Sequence, residues 1–514
     1  MPRLTDLAAG IAAAIAVSSS TTHAEMPAYS TGINTDYPKQ VFFGDLHLHS
    51  NISADAQSMG NLLLTSADAY RFARGEKVVA SNGLPAKLKR PLDFLAVTDH
   101  AEFMGIYRMF NLQDPRLMST RLGRAWREKY GTSISKDTME QGPIDDTANN
   151  PILEFVVSIN DPDPERDNYP SAIKTAIWTD VARTADEFNS PGVFTAFSAY
   201  EWTAMYEGNN LHRCVILKDN ADVVTDWLPY SAQSSSNPED LWAALKEYES
   251  QTGGEALSIP HNGNLSNGLM WDMVDYEGGA ITRDYAEARM RWEPIAEVTQ
   301  LKGDSETHPS LSPDDPFADF ERWDEFNISN TIKTTPDMYP GSYARPALRR
   351  GLSLERSAGA NPYAFGMIGS TDDHTSLATA EEDNFFGKFA NSEPGIRTPD
   401  SRMAGLNADW ELGASGLAAV WAPQNTREDL FAGMKRREVY ATTGSRIVLR
   451  FFGGWDYAPN SVHSPYFETI GYRYGVPMGG ELAPQGKDAP TFMVQAMKDP
   501  DAANLDQVQI IKGW

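Results

Sequence analysis

The 514-residue chain carries 44 basic against 70 acidic residues, a net charge of −26. That balance excludes the clustered Lys and Arg that nucleic acid or an anionic membrane surface requires. A hydrophobic fraction of 41 % excludes a disordered chain, and a single cysteine, Cys214, excludes an internal disulfide.

From the N-terminus, Arg3 precedes the apolar stretch "LAAGIAAAIAV" at 7–17, which leads into the polar run "SSSTTHA" with small residues Thr22 and Ala24. Residues 1–24 therefore read as a secretory signal peptide, with a linker at 25–39 and a periplasmic or secreted mature protein. No apolar segment reaches the roughly 20 residues of a membrane-spanning helix, so no transmembrane segment is expected.

Apolar, β-branched runs follow at 40–48, 92–99, 192–202, 212–219, 255–261, 295–303, 364–371 and 416–423. Their continuous hydrophobicity predicts strands buried on both faces. Helical patterns lie between several of them, at 62–76, 171–188, 238–250, 344–357 and 426–438. This alternation predicts an α/β protein with a mostly parallel sheet or barrel over residues 40–450, with insertions near 101–190 and 303–343 that shape a site. From about residue 445 the runs "RIVLRFFGGW" (446–455), "PTFMVQAM" (490–497) and "LDQVQIIKGW" (505–514) predict strands without helices, a C-terminal β region at 451–514. The chain stops inside an alternating pattern, as a truncated fragment of a longer protein would.

Histidine placement carries the chemistry. In "VFFGDLHLHS", His47 and His49 stand two apart and share one face of an extended strand, with Leu46 and Leu48 on the other. Alone, such a pair is either a metal chelate or two core histidines. Of nine histidines, however, five (His47, His49, His100, His261 and His374) sit at or just past the C-terminal end of a predicted strand, joined there by Glu201 and Asp372. In a parallel barrel those ends converge on the face where active sites are built. Glu201 closes an apolar run, where an unpaired carboxylate is costly. Taken alone, Asp55 in "SADA" reads as a helix cap. His212 opens its strand, so position alone says little of it; Asp99 and Asp373 read as outer partners or solvated groups. Arg213, Lys302, Glu306 and His308 are further polar residues near the same face, and Cys214 reads as a small buried hydrophobe.

The ordered series "GDLHLHS", "VTDHAEF", "SAYEW", "HRC", "IPHNG" and "STDDH" resembles the polymerase and histidinol phosphatase (PHP) superfamily over roughly residues 40–450, within a poorly characterised branch of long secreted bacterial proteins. The resemblance implies a distorted (β/α)7-type TIM-like barrel and two or three divalent metal ions (Zn, Mn or Fe). It implies that His47, His49 and Asp372 hold one metal, that Glu201 bridges it to a second held by His212 and His261, and that Asp55, His100 and His374 form a third site. The implied activity is a metal-dependent hydrolase, a phosphoesterase in which a metal-bridging hydroxide attacks a small, anionic phosphate mono- or diester. The same barrel could instead cleave a lactone, an amide or an organophosphorus triester, or serve as a non-catalytic exported metal-binding protein.

Overall fold

Along the chain, the strands that position the candidate site are β1 (Gln40–Asp45), β2 (Phe94–Ala96), β3 (Thr195–Trp202), β4 (Arg213–Leu217), β5 (Ala256–Pro260), β6 (Ile295–Gln300), β7 (Gly366–Gly369), β8 (Leu417–Ala422) and β9 (Val439–Thr442). The computed structural model describes residues 37–134, 170–390, 402–403, 407–408, 411–413, 416–486 and 489–513. The expected signal peptide, most of the linker and residues 135–169 of the first insertion lie outside them.

Seven strands form one curled sheet in the order β9-β8-β1-β2-β3-β4-β5. Its strands are buried on both faces, as their apolar runs require; every residue of β3, TAFSAYEW, is buried. β6 and β7 pair in parallel in a second sheet, together with the short strand Gly303–Asp304. Leu46, Phe94, Phe197, Ile216, Ile259 and Ile368 interlock as an apolar core that draws on both sheets. β1 and β2 approach closely because residue 44 is glycine: a Cβ there would lie 2.4 Å from the Phe94 carbonyl oxygen.

The helices are α1 (Ser66–Ala73), α2 (Ser171–Phe188), α3 (Pro238–Thr252), α4 (Arg283–Trp292), α5 (Ala344–Ala358) and α6 (Arg427–Lys435). Their ends follow local chemistry. Thr65 and Asp68 close a capping box on α1, while α3 starts at the Asn237 cap with Pro238 in its first turn and stops at Gly253, whose φ is 73°.

The sheet departs from the parallel barrel expected of the sequence: it is mixed and curls into a half-barrel. β1, β2 and β3 are mutually parallel, whereas β4 is antiparallel to both β3 and β5, and β8 to both β1 and β9. At β3–β4 the reason is chain length. A parallel return needs a crossover of a dozen or more residues, but only the short segment 203–212 is available. That segment folds back through a small hairpin pairing Met205–Tyr206 with Asn209–Asn210. Among the described residues no ladder joins β5 to β6.

Further on, β10 (Val448–Gly454) pairs antiparallel with β11 (Gly475–Pro477) and β12 (Thr491–Met497), and α7 (Phe467–Tyr474) packs on Phe452 through Phe467. The strand expected at 505–514 does not form in the described part of that segment. Leu505, Val508, Ile510 and Ile511, the apolar residues of that run, are 38–59 % exposed, because no neighbouring edge pairs with them. Among the described residues no helix is long and apolar enough to cross a membrane.

Candidate metal centre

β1, β2, β3 and β5 end at one edge of the curled sheet, and β4, running the other way, begins there. Sheet topology thereby places the candidate residues. His47 and His49 follow β1, and His261 follows β5. His100, beyond β2, bridges to Glu201 near the end of β3. His212, whose place at a strand start looks anomalous in the sequence, stands directly before β4 and faces the same edge; its carbonyl accepts from the His261 amide. Asp372 and His374 follow β7, where Asp373 bridges to Leu48. Asp55 lies in the short helix Ala54–Ser58. One local expectation changes: β1 stops at Asp45, so Leu46 enters the inner core while Leu48 joins the outer one, although both histidine rings still turn to the centre.

The structure brings all nine predicted side chains together. Eight are at most 6 % exposed, and Asp55 is 19 % exposed. Their potential ligand atoms fall into overlapping groups: His47, His49 and Asp372; Glu201, His212 and His261; and His49, Asp55, His100 and His374. Glu201 lies between them. Its Oε1 is 2.8 Å from His212 Nδ1 and 3.1 Å from His261 Nε2, and its Oε2 is 3.1 Å from His100 Nδ1 and 3.2 Å from His49 Nε2.

The hydrogen-bond network shows why these atoms suit a cation. Glu297 Oε2 lies 3.0 Å from His47 Nδ1, so this nitrogen donates and Nε2 keeps its lone pair. Ser53 Oγ gives its proton to Asp99 Oδ1 and therefore accepts from His49 Nδ1, at 2.8 Å. The Nε2 atoms of His47 and His49, 3.3 Å apart, thus face each other as acceptors. Asp372 Oδ1, also an acceptor, lies 3.3 Å from each of them. Together with Glu201 Oε2, these converging atoms make up the donor set that a metal ion takes. The residues present fit one.

Electrostatics divide the rings: burial opposes protonation of His47, but Cys214 and Glu297 outweigh it and lift the group well above the usual imidazole range. Burial pushes the pKa of His49 down to about 4, His261 to about 4 and His212 to about 3, which leaves neutral rings, the form that ligates. Burial opposes protonation of His100 as well, but the carboxylates of Glu201 and Asp55 outweigh it and lift the group to about 10. Burial would raise Glu201, yet His100, His212 and His261 hold it well below the usual carboxylate range.

Several partners were not singled out in the sequence. Glu297 is a lone charge inside the apolar run "IAEVTQ", and that anomaly was its available signal. Lys388 stands among aromatic residues in "FFGKFA" and reaches Asp372 Oδ1 at 2.8 Å. Cys214 is buried as expected, but its Sγ lies 3.7 Å from His261 Nδ1, and with His47 and His261 it makes a further potential metal-binding group. Asp99 and Asp373 are buried: Asp99 binds Ser50 and Ser53, and Asp373 binds Thr379. Asp45 ties the His47 amide to Thr371. Arg213 turns away from the centre into a buried pair with Glu293, because it alternates with His212. Glu306 pairs with Arg345 and His308 with Asp324, both outside the ligand groups.

Residues 36–514 match the family described as "Protein of unknown function (DUF3604)", so the chain belongs to that family. No curated protein matches it. A solved structure from Bacteroides vulgatus ATCC 8482, described as a two-domain protein containing a predicted PHP-like metal-dependent phosphoesterase, is similar at 11 % identity and a TM-score of 0.29. The match covers 78 % of this chain and 65 % of that one, so the chain spans less than two thirds of that protein's length.

Proposed function

We propose that this DUF3604 member is a metal-dependent hydrolase that cleaves phosphate mono- or diesters. The observation that carries the reading is the buried convergence of His47 Nε2, His49 Nε2, Glu201 Oε2 and Asp372 Oδ1. His47, His49 and Asp372 would hold one ion, Glu201, His212 and His261 a second, and Asp55, His100 and His374 a third. The motif series that resembles the PHP superfamily supports the same grouping. Mixed imidazole and carboxylate ligands suit Zn²⁺, Mn²⁺ or Fe²⁺. Divalent ions held together in this way supply a nucleophile from water at neutral pH and stabilise charge on the leaving oxygens.

The chain's own residues prepare that chemistry. Glu297 and the Ser53–Asp99 pair fix the tautomers of His47 and His49, so that both Nε2 lone pairs point inward. Glu201 presents one oxygen to each side of the centre, the arrangement of a bridging carboxylate. Asp372 adopts a left-handed backbone, φ 56°, which Asp tolerates better than most residues and which turns its carboxylate toward His47 and His49. The apolar core below keeps water from the back of the site. The leader-like segment at 1–24 carries the further proposal that the protein is exported.

The test is metal analysis of the purified protein joined to a hydrolysis screen over phosphomonoesters, diesters, triesters and lactones, repeated on His47→Ala and Glu201→Ala. Bound metal, phosphoester turnover and loss of both in the variants are expected. Less than one metal per chain, with variants matching wild type in the screen, overturns the reading. Metal without turnover replaces it with a binding protein, and turnover of lactones or triesters alone changes the bond cleaved.

A further inference from the structure

We infer that Lys302 and Lys388 form an anion subsite on the metal centre, which grips the non-bridging oxygens of a phosphoryl group; this rests on the hydrolase reading above. Lys302 follows β6, and Lys388 lies beyond the Asp372–His374 segment. Lys388 is 2 % exposed and the Lys302 side chain 14 %, so Lys302 stands nearer to solvent. Both ammonium groups meet on one carboxylate: Lys388 Nζ on Asp372 Oδ1 and Lys302 Nζ on Oδ2. Among the described residues neither lysine makes a second ion pair.

One carboxylate does not balance two buried ammonium groups: burial and the neighbouring Lys388 push Lys302 well below the usual lysine range, so the pair holds its full charge only when an anion joins it. Nor does Asp372 need both. Its Oδ2 already accepts from Gln300 Nε2 at 2.7 Å, and Gln300 is itself fixed by Asn262 Oδ1 at 2.8 Å. Its Oδ1 faces His47 and His49, where a metal would share its charge. Metal ions in the three ligand groups would draw on the charge of Asp55, Glu201 and Asp372. The two lysines, which share Asp372, would then lack a full counter-charge beside the reacting position. A phosphoryl dianion supplies that charge and offers acceptor oxygens to both ammonium groups. A diester, with a single negative charge, would leave one lysine uncompensated, so the pair favours monoesters.

The experiment measures metal content and inorganic phosphate binding by calorimetry on the metal-loaded full chain, for wild type, Lys302→Met, Lys388→Met and Lys388→Arg. Acetate serves as the monoanion control. Metal content should be unchanged in all four. Phosphate binding should weaken about tenfold to a hundredfold in each Met variant, as expected for loss of a charge-assisted hydrogen bond. Lys388→Arg should stay within a few-fold of wild type, and acetate should bind wild type and the Met variants alike. Lys302→Met, at the more exposed position, carries the test if Lys388→Met does not fold. Unchanged phosphate affinity in metal-loaded Met variants overturns the subsite alone. Loss of metal together with phosphate binding also overturns it, by making the lysines part of the metal-holding shell. A wild type without metal overturns the hydrolase reading first and the subsite with it.

Discussion

Replacing Glu297 by Gln isolates the role of one buried charge. Glu297 is 2 % exposed on β6; its Oε2 lies 3.0 Å from His47 Nδ1, and its Oε1 has no hydrogen-bond partner. The carboxylate therefore acts through His47. Gln keeps the volume and can still offer a carbonyl oxygen, so the change converts a charge-assisted bond of about 1.5–3 kcal/mol into a neutral one of about 0.5–1.5 kcal/mol. The difference, about 1–1.5 kcal/mol, corresponds to roughly tenfold in metal affinity, at the lower end of the 10–100-fold seen when such outer partners are lost. Metal-stripped protein titrated with Zn²⁺ against a chromophoric chelator measures this directly. The exposed Glu287→Gln, whose partner is Arg283 on the same helix, serves as control. Equal Zn²⁺ affinity for wild type and Glu297→Gln within twofold, or an equal loss in the control, would refute the idea that Glu297 tunes the centre through His47.

Three further outcomes follow from the packing. Gly44→Ala drives a Cβ to 2.4 Å from the Phe94 carbonyl and ring, and should lower unfolding free energy by about 3 kcal/mol in a urea titration; an unchanged midpoint contradicts the close approach of β1 and β2. Glu293→Gln leaves Arg213 and Arg289 facing one another without the carboxylate that lies 3.0 and 3.1 Å from them, a loss of about 3–5 kcal/mol by the same assay. Asp45 gives a pH signature in chelated protein. Burial raises its pKa from 3.8 to about 6, so the folded state keeps a proton that the unfolded chain releases earlier. Its contribution is full below pH 3.8 and lost as pH rises to about 6; relative to Asp45→Asn, wild type should lose about 3 kcal/mol across that window, and a flat difference would be inconsistent with the buried acid.

Much of the site was legible because metal ligands must be rare residue types at strand ends. His47, His49, His100, His261 and His374 follow apolar runs whose strands do end at the site, so for them the expected strand direction held. For His212 it did not. A run of hydrophobic residues is the same read in either sense, so the reversal of β4 could be inferred only from the shortness of 203–212, and the expected parallel barrel became a mixed, curled sheet. Glu297 and Lys388 were hidden for a different reason. Each is a single polar residue in an apolar stretch, and its partner, His47 or Asp372, is fixed by tertiary placement and not by spacing. At 505–513 only Val508 and Ile510 keep a period of two, and a strand also needs an edge to pair with, which no local pattern reports.

The Leu48–Asp373 bridge joins segments more than 300 residues apart and has candidate metal-binding residues on both sides of it. Contacts of that separation form late, because the intervening loops must close first. An unfolded chain offers a cation little beyond the adjacent pair His47 and His49, so the complete donor set exists only once the segment bearing Asp372 and His374 has docked against β1. If the centre holds metal as proposed, its capture closes folding. Refolding in the presence of a chelator should reach the metal-free fold at the same rate as without it, and metal added afterwards should slow unfolding far more than it speeds folding.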